Sequence, residues 1–162
     1  MDHVDFVTQQ WERERPDLDV TAMGVIGRVA RLYLAYQRGM HTTFAEFGLN
    51  AAKFDVLATL RRSGDPYTLS PGELLKATMV ASGTMTNRID RLEADGLVRR
   101  KVNPADSRSF LIALTEKGGA LIDEALEAHV ATQSGLLKGL KAEELDQFKD
   151  LLSKALISAG SD

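Results

Sequence analysis

The segment Ser70-Pro71-Gly72-Glu73 constrains this chain more than any other. It places a Ser hydroxyl before a run of orphan helix N–H groups, a Pro at the first helical position and a Glu at the third, so a helix begins there. That helix is short, running through Leu74 and Leu75 to about Ala77. After a turn, Ser82 is placed to cap a longer helix ending at Gly96, a residue suited to the left-handed conformation past a C-terminus. Two helices this close, the second polar on one side, form a helix-turn-helix pattern. Leu97-Val98 and Phe110-Leu111-Ile112 then bracket Asn103-Pro104-Ala105-Asp106-Ser107-Arg108, which predicts two short strands around a polar turn, a β-hairpin wing.

The flanks are helical. Asp2 to Arg15 is polar, with Phe6, Val7 and Trp11 able to share a face, and Pro16 interrupts it. Asp19 can cap the next helix, on which Met23, Ile26, Val29, Ala30, Tyr33 and Tyr36 recur at helical spacing toward Phe44 and Phe47. Gly48 ends it, and Asn50 caps a third helix over Ala51 to Arg62. From Glu116 a long helix carries Leu121, Ile122, Ala125, Leu126 and Val130; Gly139 interrupts, and a last helix presents Leu145, Phe148, Leu151, Leu152 and Leu156. The expected fold is mainly α with a small β-hairpin wing. Residues 1–47 and 116–162 form a helical dimerisation region around a winged helix-turn-helix at 50–115, all within one domain. Several apolar stripes lack a partner inside one chain, and joining two copies across a two-fold axis buries them. A two-fold protein matches a palindromic operator on double-stranded DNA, with recognition helices about one duplex turn apart.

Charge agrees with that division. The whole chain carries −3, yet Arg61 to Phe110 holds nine Lys and Arg against six Asp and Glu, leaving eleven against seventeen elsewhere. A basic centre on an acidic scaffold suits a sequence-specific DNA module better than a nonspecific coat. The chain has no Cys, which excludes thiolate metal sites and cysteine nucleophiles. Its polar beginning is unlike a signal peptide and no apolar run approaches a membrane span, so a soluble cytoplasmic protein without membrane contact is expected. His3, His41 and His129 are scattered without metal spacing, no Gly-rich phosphate loop follows a strand, and the serines serve better as caps than nucleophiles. No metal, cofactor or enzymatic activity is expected.

Advancing 100° per residue from Met85 puts Met85, Ile89 and Leu92 within about 40° of one direction, the core side. Thr84, Asn87 and Arg91 cluster on the other flank with Thr86 and Asp90 nearby. Asn and Arg read adenine and guanine edges, and hydroxyls suit phosphates or bases. Ser82, Thr84, Thr86, Asn87 and Arg91 are therefore the expected DNA-facing set. Arg99, Arg100 and Lys101 are expected to precede the hairpin. Arg108 follows its tip, placed for phosphates or a minor groove. Asp106 cannot improve DNA binding by charge and is expected to shape the turn or orient Arg108.

Three residues fit a core-and-surface account poorly. Trp11 is the only Trp, Asp55 sits in the apolar run Phe54-Asp55-Val56-Leu57-Ala58, and Arg88 falls nearer the core stripe than the DNA flank. Together they offer a stacking face, an acceptor and an anion clamp for a small anionic ligand. Taken alone, the three residues suit a packing anchor beside an internal ion pair better than a ligand site.

The chain resembles the MarR family of winged helix-turn-helix repressors nearly end to end, most specifically through TMTNRIDRLEADGLVRR and NPADSRSFLIALTEKG. The resemblance implies that the outer helices dimerise, the Ser82 helix enters the major groove and Arg108 reaches the minor groove; Asp106 and Arg108 match the family's wing pattern. Trp11 on an extra N-terminal helix, Asp55, Arg88 and Arg100 are similar to the urate-responsive subgroup. That likeness implies an effector stacked near Trp11 and held by Arg88, charge interplay with Asp55, and Arg100 as the relay. The stretch Arg61-Arg62-Ser63 marks the far end of such a pocket. The resulting expectation is a homodimeric repressor released by urate or a similar anionic purine. The alternatives are a repressor answering a different organic anion or phenolic compound, a constitutive DNA-binding regulator and a protein-interaction scaffold.

Overall fold

The computed structural model describes residues 1–78 and 85–160. Among them are seven helices and one small antiparallel sheet: α1 (His3–Glu14), α2 (Thr21–Glu46), α3 (Ala51–Arg62), β1 (Thr68–Leu69), α4 (Pro71–Ala77), α5 (Met85–Ala94), β2 (Val98–Asn103), β3 (Asp106–Leu114), α6 (Glu116–Leu137) and α7 (Ala142–Ser158). The chain divides into two compact units, Met1–Gly39 and Met40–Asp162.

In the first unit, α1 begins at a reciprocal capping box: the Asp2 carboxylate accepts from Val4 and Asp5 N–H, and the Asp5 side chain accepts from Asp2 N–H. The absence of side chains at Gly24 and Gly27 lets α1 lie close to α2, with Val4 over Gly27 and Thr8 over Gly24. Arg28 reaches back to Asp2 at 2.9 Å and also pairs with Asp5. The helix-terminal N–H bonds foremost, and then the Arg28 guanidinium, hold both carboxyls below the usual carboxylate range. Asp19 accepts from Thr21 N–H at the start of α2, as its position in the sequence predicts.

The second unit is built around α3. Asn50 caps it by accepting from Lys53 N–H, and Gly48 takes the left-handed conformation (φ 66°) that lets the chain turn from α2 into it. Nearly every face of α3 is covered: Val56, Leu57 and Leu60 are fully buried, sharing the core with Leu74, Ile89, Leu92, Ile112 and Ile122. Phe54 stacks on Phe44 (4.4 Å between centroids) and meets the His129 ring at 4.7 Å. Arg61 pairs with Asp123 at 2.7 Å, tying α3 to α6. The sheet has the order β1-β3-β2, so the wing strand β3 is its centre. β1, with Thr68 opposite Ala113 and Leu69 opposite Ile112, is a third strand absent from the sequence-based expectation. Its two residues are too few to show alternation, and they sit against a turn that reads as a simple stop.

Thr115 closes the wing onto α6. Its hydroxyl donates to the Gly96 carbonyl at 2.8 Å and accepts from Gly118 N–H at 2.9 Å. Among the described residues no helix is long and apolar enough to cross a membrane, and no group of His, Cys, Asp or Glu could hold a metal ion.

Candidate functional site

α4 starts where the sequence requires. Ser70 Oγ accepts from Glu73 N–H, the Glu73 carboxylate accepts from Ser70 N–H at 2.7 Å, and Pro71 occupies the first turn. The Ser70 bonds hold the Glu73 carboxyl below its ordinary range. The following helix, α5, separates its faces as the angular reading predicts: Met85, Ile89 and Leu92 are buried, while Thr86, Asn87, Asp90 and Arg91 are exposed. Ser82 and Thr84, the other two expected DNA contacts, lie outside the described residues. Arg88 is half-buried, in keeping with its place between the stripe and the flank.

The wing differs from expectation at its base. Arg99, Arg100 and Lys101 do not precede the hairpin; they lie inside β2, with Arg99 opposite Ala113, Arg100 opposite Ile112 and Lys101 opposite Leu111. Alternation therefore splits them. Arg99 and Lys101 are exposed on one face, while Arg100 shares the other with Val98 and Val102. There its guanidinium donates to Asp90 Oδ1 at 2.5 Å and to the Glu93 carboxylate, and its backbone N–H donates to Glu93 Oε1 at 3.0 Å. The ring of Phe110 lies 5.2 Å from the guanidinium carbon. The Asp90 bond first, and then the Glu93 charge, hold Arg100 more firmly protonated than a free guanidinium. Recognition helix and wing are thereby clipped together through one side chain.

Sequence reasoning passed over the receiving end of this clip. Asp90 and Glu93 stand three apart on α5, one turn of helix, seven to ten residues before Arg100. That spacing, ahead of a strand doubling back, was the available signal.

At the tip, Asp106 behaves as expected: its Oδ1 accepts from Arg108 N–H at 3.0 Å, fixing the backbone from which the exposed Arg108 side chain extends. Asn103 completes the turn, accepting from Ala105 N–H and donating to Ser109 Oγ, both at 3.0 Å.

Of the residues proposed to hold a ligand, Asp55 is buried within α3 at 8% exposure. Asp55, Arg88 and Arg100 belong to the unit Met40–Asp162, and Trp11 belongs to Met1–Gly39. Trp11 stands on α1 with 42% of its surface exposed, a high value for an apolar anchor. A groove in that first unit is lined by Thr8, Glu12, Leu18, Asp19, Gly24 and Arg28, among others, and not by Trp11.

The sequence profile described as the MarR family matches residues 47–109, which span α3 through most of the wing. The HTH-type transcriptional regulator PecS of Dickeya dadantii is 43% identical over 148 residues, covering 91% of this chain and 89% of that protein. Among solved structures, Bordetella bronchiseptica BpsR, described for regulation of its DNA binding by 6-hydroxynicotinic acid, is 30% identical with a TM-score of 0.70. That match covers 81% of this chain and 91% of BpsR. A mutant of E. coli MarR complexed with operator DNA is 28% identical with a TM-score of 0.69, covering 90% and 97%. The relatives are regulators rather than enzymes, and with the capped helix-turn-helix and the clipped wing in place the chain belongs to the MarR family of winged helix-turn-helix transcriptional regulators.

Proposed function

We propose that this protein is a homodimeric repressor that binds a palindromic operator and is released from it by a small organic anion or phenolic compound. The observation that carries DNA reading is the exposed row Thr86, Asn87 and Arg91 on a helix whose other side is locked into the core. The row lies on the same helix as the carboxylates that hold Arg100, and Arg108 leaves the wing tip toward solvent. Ser82 and Thr84 join that set from their position in the sequence just before Met85. Phosphate or minor-groove contacts from Arg108 position the protein, base-edge contacts from Asn87 and Arg91 specify the sequence, and the Thr86 hydroxyl serves a phosphate or a base. The E. coli relative, solved with operator DNA, supports the same use of this fold.

Dimerisation is supported by apolar residues that one copy leaves uncovered. On α2, Met23, Ile26, Val29 and Tyr33 are 42–66% exposed, and on α7 Leu151, Leu156 and Ile157 are 53–64% exposed. Burying such stripes against a second copy assigns residues 1–47 and 116–162 to the interface and 50–115 to DNA.

For the effector, BpsR supports an aromatic organic acid, since its structure is described for regulation by 6-hydroxynicotinic acid. Urate is the second reading, favoured by the subgroup likeness at Trp11, Asp55, Arg88 and Arg100. An effector releases DNA only if it prefers a conformation poorly matched to the duplex. The clip from Arg100 to α5 is the element through which such a preference reaches both DNA-contacting parts.

The test is an anisotropy titration of the protein on its own upstream DNA at fixed salt, with 6-hydroxynicotinate, salicylate, urate and an unrelated anion at equal ionic strength. Release by an aromatic acid alone supports the main reading. Release by urate alone, lost in Trp11→Ala and Arg88→Ala proteins that still bind DNA, selects the second. Binding without palindrome preference or salt dependence refutes the repressor itself.

A further inference from the structure

Val102 is 69% exposed and Phe110 42%, although both are large and apolar. They are direct partners across the wing, Val102 on β2 opposite Phe110 on β3, so their side chains leave the same face of the sheet. Arg100 shares that face, and its bonds to Asp90 and Glu93 make it the face turned toward α5. Asp90 stands one helical turn after Thr86 and Asn87, so the clip is made on the DNA-reading side of α5. Two residues beyond Phe110 along β3 comes the exposed Arg108. Two residues inward lies Ile112, fully buried, so the core ends before the pair begins. Single apolar residues scattered over a surface need no explanation. A paired Val and Phe left open between two DNA-contacting parts are a different matter.

We propose that Val102 and Phe110 form an apolar saddle that seats the sugar edge of the operator backbone where it passes from α5 to Arg108. The proposal rests on the DNA-binding reading above and adds these two residues to it. A strand touched by Asn87 and Arg91 at one end and by Arg108 at the other crosses the interval that the pair occupies. Charge decides which part of the strand lies there. At the inner end, Asp90 and Glu93 set two carboxylates against the single guanidinium of Arg100, and the pair itself offers no donor. A phosphate is therefore disfavoured over the saddle and favoured beside Arg108. The deoxyribose ring between phosphates presents uncharged C–H edges, which gain by leaving water against an apolar surface. The Phe110 ring is already held from one side, 5.2 Å from the Arg100 guanidinium carbon, so little ordering is left for binding to supply. Sugar contacts carry no base information, so the saddle contributes affinity and sets how deeply the wing sits.

The experiment is an anisotropy titration of the full-length protein on a duplex from its own upstream region, repeated over a salt series, with thermal unfolding and sedimentation of the free protein alongside. Val102→Thr keeps the β-branched shape and replaces one methyl by a hydroxyl. It is expected to unfold at the wild-type temperature and to bind about fourfold more weakly, the effect of one methylene-sized apolar contact. Phe110→Thr is expected to weaken binding at least about tenfold. Neither substitution removes a phosphate contact, so the salt slope is expected to stay at the wild-type value. Val102→Ile keeps the surface apolar and is expected to bind as the wild type does. Wild-type affinity in either threonine variant overturns the proposal and leaves DNA binding standing. Weakening with a salt slope lowered by about one also overturns it, because the pair then only holds Arg108 in place. So does association of the free protein beyond a dimer that Phe110→Thr abolishes, which gives the surface to a second copy. Failure of the wild-type protein to bind the duplex overturns both the saddle and the DNA-binding reading.

Discussion

Replacing Gly118 by Ala puts a methyl group where the chain's own backbone already stands. A Cβ built there would lie 1.9 Å from the Leu97 carbonyl oxygen, 2.9 Å from its carbon and 3.2 Å from its Cα. Since a tolerable carbon–oxygen contact is about 3.3 Å, the two segments must separate by roughly 1.4 Å. Neither side gives easily. Leu97 is 4% exposed between α5 and β2, and its carbonyl accepts from Thr115 N–H at 3.2 Å. Gly118 N–H is itself held by the Thr115 hydroxyl. Overpacking at a rigid contact costs about 1–3 kcal/mol, and weakening these bonds adds about 1 kcal/mol more. We therefore expect Gly118→Ala to lose about 3 kcal/mol, lowering Tm by about 6–12 °C for a chain of this size. Gly119 is the matched control, one residue along the same helix with nothing within 4 Å of its added Cβ. Gly119→Ala should be neutral or gain up to about 1 kcal/mol from helix propensity. Urea unfolding of wild type and both variants at one protein concentration reads the difference, because association contributes to apparent stability. The reasoning is refuted if Gly118→Ala lies within about 0.5 kcal/mol of wild type, or if Gly119→Ala is equally damaged.

Arg100→Ala should weaken operator binding about tenfold by freeing the wing from α5; Glu93→Gln should weaken it too, although it removes a negative charge, and tighter binding would show that charge rather than positioning decides. Arg108→Ala should lower the salt slope of operator binding by about one, measured by anisotropy from low to physiological salt, whereas an unchanged slope would remove Arg108 from the phosphates. Burial lowers the pKa of His129, whose Nδ1 has no partner among the rings of Phe44 and Phe54. The unfolded chain then takes up its proton first, so stability is complete above the ordinary histidine value of 6.5 and falls as pH drops through it. His129→Phe should flatten the stability change between about pH 7 and 5.5, and an unaltered profile would assign the acid sensitivity elsewhere.

Local chemistry made most of the fold readable. Asn50, Ser70 and Gly96 mark helix ends because a cap must satisfy orphan N–H groups or supply a positive φ, and both demands act over a few residues. The division of α5 into Met85, Ile89 and Leu92 inside and Thr86, Asn87 and Arg91 outside follows from helical period alone. What escaped was fixed by contacts distant in sequence. β1 exists only because β3 presents partners to Thr68 and Leu69. Arg100 reads as one more cation in a basic run until strand alternation turns it toward Asp90 and Glu93.

The central position of β3 makes the wing a lever. Ile112, fully buried, sits opposite Leu69 on one side and Arg100 on the other, and Leu69 runs directly into the Ser70 cap of α4. Arg108 stands four residues out along the same strand, about 13 Å from that fulcrum. A rotation of about 5° at Ile112 carries the Arg108 backbone by about 1 Å, enough to spoil a hydrogen bond whose useful range is a few tenths of an ångström. Under the proposed function, release from an operator would then ask for no unfolding and no large domain swing. A few degrees of tilt at a two-residue strand, amplified along β3 and shared with α5 through Arg100, would move Arg108 and the exposed row of α5 together.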